Sequence, residues 1–86
     1  MLALGFTDQG WEDYQHWVSK DKTVLKRVNG LIKDARRNPT SGIGKPEQLR
    51  YLTGSPWSRR ITQENRLVYS FDASQLTLWQ CRYHYS

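Results

Sequence analysis

The first half of the chain carries apolar residues at helical spacing. One set recurs at relative positions 0, 3, 6 and 7, the spacing of a single helix face: Trp11, Tyr14, Trp17 and Val18. A longer amphipathic stripe follows at relative positions 0, 1, 4, 7, 8 and 11: Val24, Leu25, Val28, Leu31, Ile32 and Ala35. We expect Thr7 or Asp8 to cap the first helix and Asp21 to cap the second, since short polar side chains accept the free amides of a first turn. The second helix is expected to end at Asn38, because Pro39 disfavours helical geometry in the residue before it.

The second half of the chain changes to a strand-like composition. Residues 59–62, 66–71 and 75–83 are rich in β-branched and aromatic residues, which favour strands. The connections between them, residues 63–65 and 72–74, are short enough for antiparallel hairpins. Residues 2–6 form another short apolar run, and residues 47–52 are expected to form one short turn. The order β-α-α-β-β-β predicts an α+β fold in one domain, residues 1–86, with two N-terminal helices packed on one face of a small antiparallel sheet.

The strand pattern also predicts which residues the helices leave uncovered. Side chains alternate between the two faces of a sheet, so Leu67 and Tyr69 suit the core while Arg66 points to the open face. We expect that face to gather charged residues from several segments: Arg66, His84 and either Arg59 or Arg60, with Lys45, Glu47 and Arg50 on one rim.

The charge balance points to a polyanionic partner. The 86 residues include 13 lysines and arginines against 8 aspartates and glutamates, a net charge of +5, which favours nucleic acid, an acidic membrane or an acidic protein. A basic protein with no such partner fits the charge equally well. One cysteine excludes an internal disulfide, and no apolar run approaches the roughly 18 residues of a membrane helix. Since the first residues also lack a basic signal-peptide region, we expect a cytoplasmic protein with no membrane association.

The charged residues of the open face suit phosphodiester chemistry. A carboxylate among arginines stays ionised, and a histidine exchanges a proton near neutral pH. Glu47, His84 and the arginines would then supply a base, an acid and a cationic clamp. Each also has a simpler interpretation: Glu47 as a surface ion pair, Arg66 as a salt bridge at the sheet edge, and His84 as a packed terminal side chain.

Several motifs resemble one known family. They occur in order along the chain as "WEDYQHW", "LIKDARRNP", "GIGKPEQLR", "WSRRIT", "NRLVY" and "CRYHY". Together, from about Trp11 to Tyr85, they are similar to the RelE/YoeB superfamily of bacterial type II toxin–antitoxin ribonucleases. The resemblance implies a microbial-ribonuclease-like fold and cleavage of messenger RNA in the A site of the 70S ribosome. It also implies a YefM-like antitoxin as partner, and a homodimer.

The resemblance assigns roles to single residues. Glu47 would be the general base that takes the proton of the ribose 2′-hydroxyl, and Arg66 would hold the scissile phosphate. His84 would be the general acid for the leaving 5′-oxygen, and Tyr85 would orient the site or stack on a base. No metal or cofactor is implied. The RNA- or phosphate-binding residues would be Lys45, Arg50, Arg59 and Arg60, with at least one of the last two on the RNA backbone.

Two other functions fit the same sequence. A basic module that binds the ribosome or RNA without cutting, such as a catalytically weak toxin, would use the same surface. A DNA-binding regulator fits less well, because no helix-turn-helix pattern follows the basic second helix. Any contact with DNA is expected to be indirect, as a co-repressor with the antitoxin.

Overall fold

Two consecutive helices pack on one face of a five-stranded sheet, in a computed structural model that describes residues 1–84. The elements are β1 (Ala3–Phe6), α1 (Asp8–Lys20), α2 (Lys22–Arg37), β2 (Glu47–Gln48), β3 (Trp57–Arg60), β4 (Arg66–Phe71) and β5 (Gln75–Gln80). The predicted α+β class and the order of its main elements are confirmed. No helix in this part of the chain is long and apolar enough to cross a bilayer.

Both helices begin at the residues that their sequence indicates. The Thr7 hydroxyl accepts the Gly10 amide at 3.1 Å, and the Asp21 carboxylate accepts the amides of Thr23 and Val24 at 3.0 and 3.1 Å. Gly10 has a packing reason as well, since a Cβ there would collide with the carbonyl oxygen of Leu78. Because Gly10 has no side chain, the first turn of α1 can lie directly on β5.

The core lies between the helices and the sheet. The predicted stripe of α2 is confirmed, with Val28, Leu31, Ile32 and Ala35 all buried. Opposite it lie the inward side chains of the central strands: Leu67, Tyr69, Leu76 and Leu78. The open face is partly covered too, because Val68 and Ser58 are buried on that side of the sheet.

The sheet is mixed rather than wholly antiparallel, which corrects the sequence-based expectation. Its strand order is β1-β5-β4-β3-β2, and β1 runs parallel to β5 while the other pairs are antiparallel. The two helices return the chain over one face, so β1 fills the edge that the β4–β5 hairpin leaves unpaired. On the other edge, β2 adds a two-residue strand where a turn was expected, and the turn follows it.

The last strand is shorter than residues 75–83. A register shift between Val68 and Tyr69 interrupts its pairing with β4, and the strand ends at Gln80. The chain then turns, because Tyr83 has a left-handed backbone with φ 63°. This turn decides where His84 lies.

Candidate active site

Two arginines form the centre of the open face. Arg60 of β3 and Arg66 of β4 are directly paired across the sheet, so their side chains leave the same face. Like charges placed opposite each other are unfavourable in the absence of an anion. Arg60 is exposed and Arg66 is half-buried. The pair therefore presents two guanidinium groups to an anionic ligand.

The Arg66 guanidinium is fixed by main-chain oxygens. Its Nη1 donates to the carbonyls of Thr62, Gln63 and Asn65 at 2.7, 3.1 and 3.2 Å. Within residues 1–84, its Nε and Nη2 donate no hydrogen bond, which leaves two N–H directions for a bidentate contact with a phosphate.

His84 lies beside Arg66. Its Nε2 is 3.1 Å from the carbonyl oxygen of Gln63, the same oxygen that accepts from Arg66 Nη1. Because a carbonyl oxygen only accepts, Nε2 must carry the proton of this contact. The contact thus requires a proton on Nε2, the ring nitrogen that faces the Gln63 carbonyl.

The turn before β4 holds the segment that carries His84. The Arg66 amide donates to the carbonyl of Tyr83 at 3.0 Å, and the Tyr83 amide donates to Asn65 Oδ1 at 2.7 Å. Helix α1 also binds the chain just after β5, because Trp17 Nε1 donates to the Cys81 carbonyl at 2.7 Å. Asp13 Oδ2 accepts the Cys81 amide at 3.1 Å.

Cys81 itself is a packing residue. Its side chain is fully buried, and burial, with the Asp13 charge adding to it, raises the pKa of the thiol to about 12. A thiol in that state is a poor nucleophile. The chemistry of this surface therefore lies with the carboxylate, the imidazole and the arginines.

Glu47 lies on the same face, two strands away. It pairs with Ser58, which pairs with Val68, so the three side chains share one side of the sheet. From standard strand spacing, the Cα atoms of Glu47 and Arg66 are about 12 Å apart, a gap that their side chains can span with a phosphate between them. No ion pair or hydrogen bond engages the Glu47 carboxylate within residues 1–84.

Two further cations lie close to Glu47 in the chain. Lys45 and Arg50 are both exposed, and Arg50 Nε donates to Gln48 Oε1 at 3.3 Å. Lys45 has a left-handed backbone with φ 53°, and Pro46 separates it from the short strand. Lys45 and Arg50 are thus close to Glu47 in the chain, and their place on its rim stays a prediction.

Arg59 is not an RNA-binding residue, which corrects the expectation for this position. Consecutive strand residues point to opposite faces, and Arg59 points toward the helices, where it is fully buried. Its guanidinium forms an ion pair with Asp34 at 2.6 Å. Of the two neighbouring arginines, only Arg60 reaches the open face. Tyr85, the fourth predicted catalytic residue, lies outside the described residues.

Sequence reasoning missed the residues that hold the site together. Gln63 and Asn65 looked like ordinary turn residues, and nothing in the pattern linked Asp13 or Trp17 to the end of β5. The only available signal was Asp34, a single acid among the basic residues of α2, which hinted at a specific partner. The structure places the Glu47 carboxylate on the sheet face that carries Arg60 and Arg66, with His84 in contact with the turn that holds Arg66.

Comparison with known proteins identifies the family of this chain. Residues 6–85 match a family described as the YoeB-like toxin of bacterial type II toxin–antitoxin systems. Toxin YoeB of Streptomyces coelicolor is 49% identical over 84 residues, which cover 98% of this chain and 100% of that protein.

Solved structures give the same result. A YoeB dimer from Staphylococcus aureus superposes with a TM-score of 0.88 at 44% identity, covering 98% of each chain. A YoeB–YefM complex from the same organism has a TM-score of 0.86 at 39% identity and covers 99% of each chain.

Proposed function

The chain belongs to the YoeB-like toxin family of bacterial type II toxin–antitoxin systems, and from that premise we propose that it is a ribosome-dependent endoribonuclease that cleaves messenger RNA in the A site and so inhibits translation. The observation that carries the proposal is the paired Arg60 and Arg66, with His84 sharing a contact with Arg66 and Glu47 on the same face.

The proposed reaction is attack by the ribose 2′-hydroxyl on the adjacent phosphorus. Glu47 takes the 2′-hydroxyl proton, and the 2′-oxygen forms a bond to phosphorus as the bond to the 5′-oxygen breaks. His84 delivers a proton to that leaving oxygen from Nε2. The products are a 2′,3′-cyclic phosphate and a 5′-hydroxyl end. A positioned base and acid each supply about 10²–10⁴ in rate.

Arg66 and Arg60 stabilise the charge that develops on the phosphate. A guanidinium offers parallel N–H groups that match two phosphate oxygens, and its planar fork fits them better than an ammonium would. Because the nucleophile belongs to the RNA, the reaction requires no metal ion to generate one. Lys45 and Arg50 bind the RNA backbone near Glu47, and Tyr85 stacks on a base or orients the reacting groups.

The ribosome supplies substrate positioning in this proposal. The proposed site is an open sheet face with a low rim, so it cannot by itself enclose and orient a single-stranded RNA. A ribosome that holds the messenger RNA in its A site would convert an unfavourable encounter into an oriented one. Shape alone thus favours a ribosome-bound substrate over free RNA.

The family context also supports the partners that we propose. A YefM-like antitoxin is proposed to bind and inhibit the protein, by analogy with the relative from Staphylococcus aureus that forms a YoeB–YefM complex. A homodimer is proposed by analogy with the YoeB dimer from that organism. DNA contact would then be indirect, through the antitoxin, and the site of action would be the cytoplasm.

A cell-free translation reaction tests this function. Purified protein should halt synthesis and create new 5′ ends within ribosome-bound codons, mapped by primer extension, while the same message without ribosomes is cut far less. The competing function is a basic module that binds ribosomes without cutting. It would show co-sedimentation with ribosomes and no new 5′ ends.

A further inference from the structure

A buried polar network connects the core to the loop that precedes Glu47. The Arg59 side chain is fully buried, and its five N–H groups meet five acceptors. These are Tyr69 Oη at 2.9 Å, Asp34 Oδ2 at 2.6 Å, and the main-chain carbonyls of Ile43 at 3.1 Å, Asn38 at 2.6 Å and Ser41 at 2.9 Å. Three of the five acceptors therefore belong to the backbone of residues 38–43.

The two partners of Arg59 bind the same loop themselves. Asp34 Oδ2 accepts the Ile43 amide at 3.0 Å, and the Tyr69 hydroxyl donates to the carbonyl of Pro39 at 2.6 Å. At Gly42, where φ is 119°, a Cβ would collide with the Asp34 carboxylate. The loop is thus wrapped around the network at contact distance, along most of its length.

This loop leads straight to the proposed base. The Gly44 carbonyl accepts the Arg60 amide at 2.8 Å, and only Lys45 and Pro46 separate Gly44 from Glu47. The strand that carries Glu47 is two residues long, so its few hydrogen bonds to β3 fix the position of Glu47 only weakly. The position of Glu47 therefore depends on the loop before it.

Stability alone does not account for a buried arginine here. Replacing a buried ion pair by apolar residues of similar volume is often neutral or stabilising, so such a pair is weak evidence for stability. What an arginine with five acceptors adds is one fixed geometry for the backbone around it. Arg59 lowers the pKa of Asp34, and burial raises the pKa of Tyr69, so the charges of the network stay constant around neutral pH.

We propose that the buried network of Arg59, Asp34 and Tyr69 is a positioning device that fixes residues 38–46 and thereby sets the Glu47 carboxylate for RNA cleavage. The proposal rests on the nuclease function above. None of the three touches the substrate; they act through Glu47.

The test compares two tyrosine variants that each lose one hydroxyl. Tyr69→Phe removes the hydroxyl between Arg59 and Pro39 and keeps the aromatic ring. Tyr14→Phe is the matched control, because its hydroxyl donates to Asn29 Oδ1 at 2.8 Å between the two helices, away from the loop. Amide hydrogen exchange at Ile43 and Arg60, whose amides donate to Asp34 Oδ2 and to the Gly44 carbonyl of the loop, should accelerate in Tyr69→Phe and stay at the wild-type rate in Tyr14→Phe.

A double-mutant cycle then separates positioning from general destabilisation. In single-turnover cleavage on message-programmed ribosomes, Tyr69→Phe should lower the rate about 10- to 100-fold at unchanged affinity for the ribosome complex, since an error of 1 Å in placement costs that much. In a Glu47→Gln background the same change should cost almost nothing, because the group it positions is already lost. If Tyr69→Phe does not fold, Asp34→Asn, at a half-buried position, takes its place in the same cycle.

Two results would overturn the proposal. One is an equal loss of rate in the wild-type and Glu47→Gln backgrounds, which would indicate a structural role only. The other is unchanged amide exchange in the loop. A wild type that leaves the message intact would instead refute the nuclease function. The exchange comparison needs neither ribosome nor RNA, so it still decides whether the network orders the loop.

Discussion

Arg66 and His84 meet at one main-chain atom, the carbonyl oxygen of Gln63, which lies 3.1 Å from both Arg66 Nη1 and His84 Nε2. The shared acceptor places a fixed positive charge beside a protonated imidazole nitrogen. Both side chains are thereby held at the same end of β4, next to the turn of residues 61–65. The contact therefore couples the proposed phosphate clamp to the proposed acid.

The two N–H directions of the Arg66 guanidinium are expected to contribute more to the cleavage rate than its positive charge does. Arg66→Lys keeps the charge but loses the second N–H direction, and a hydrogen bond to a charged group contributes about 1.5–3 kcal/mol. We expect cleavage on programmed ribosomes to fall about 10- to 100-fold, while Arg37→Lys, an exposed change on α2, leaves the rate unchanged. Cleavage at the wild-type rate by Arg66→Lys would exclude the bidentate clamp.

The Trp17 indole is expected to stabilise the end of β5. Trp17→Phe removes the N–H that donates to the buried Cys81 carbonyl, and an unsatisfied buried acceptor costs about 1–3 kcal/mol. Urea denaturation should show this loss in the free energy of unfolding. Trp11→Phe is the control, because Trp11 is 52% exposed and its indole N–H makes no hydrogen bond within residues 1–84. Equal stability of the two variants would argue against the anchor.

The Asp34–Arg59 pair predicts a specific acid sensitivity. Arg59, with the Ile43 amide adding to it, lowers the pKa of Asp34 from its ordinary 3.8. A lowered pKa gives stability that is present above about pH 4 and is lost as pH falls through the folded-state pKa. Asp72 contributes in the same direction, since the amides of Ser74 and Gln75 lower its pKa.

Thermal melts from pH 6 to pH 2.5 test this dependence. The wild type should lose Tm steeply below pH 4, and Asp34→Asn should start lower and fall less over the same range. The difference between the two isolates Asp34 from Asp72. Parallel curves for the two proteins would contradict the assignment.

The Cys81 thiol is expected to react only when the protein unfolds. Its pKa, raised to about 12 by burial, leaves almost no thiolate at pH 8, and the side chain is inaccessible. Alkylation followed by mass spectrometry should be slow in native buffer and fast in urea. Modification at similar rates under both conditions would show that the end of β5 opens in the native state.

Local signals in the sequence were enough for the helix caps and for the buried face of α2, but not for the face of α1, where Trp11 and Val18 are exposed, or for the sheet edges. Asp21 and the stripe of α2 act within a few residues, so the caps and buried face followed from the pattern alone. The parallel pairing of β1 with β5 joins residues about 70 positions apart, and no local signal encodes it. The same limit explains the short β2, which exists only because β3 pairs with it.

The sequence predicted the types of residue on the open face, but not the position of each one. Arg59 and Arg60 are neighbours in a strand, so one must point inward, and the sequence does not say which. Which of the two points inward follows from the bounds of the observed strand, Trp57–Arg60, whereas the pattern predicted a strand over residues 59–62. Regular alternation through residue 83 was likewise wrong, because the left-handed turn at Tyr83 carries His84 to the turn before β4.

The central claim is that Glu47, Arg66 and His84 act on one phosphate. The most direct test is the single-turnover rate of message cleavage on programmed ribosomes for the wild type, Glu47→Gln and His84→Gln. Glu12→Gln and His16→Gln, the same changes on α1, serve as controls. We expect each site variant to lose about 10²–10⁴ in rate while still binding ribosomes, with both controls near the wild type. Cleavage by Glu47→Gln or His84→Gln at the rate of its control would contradict the claim.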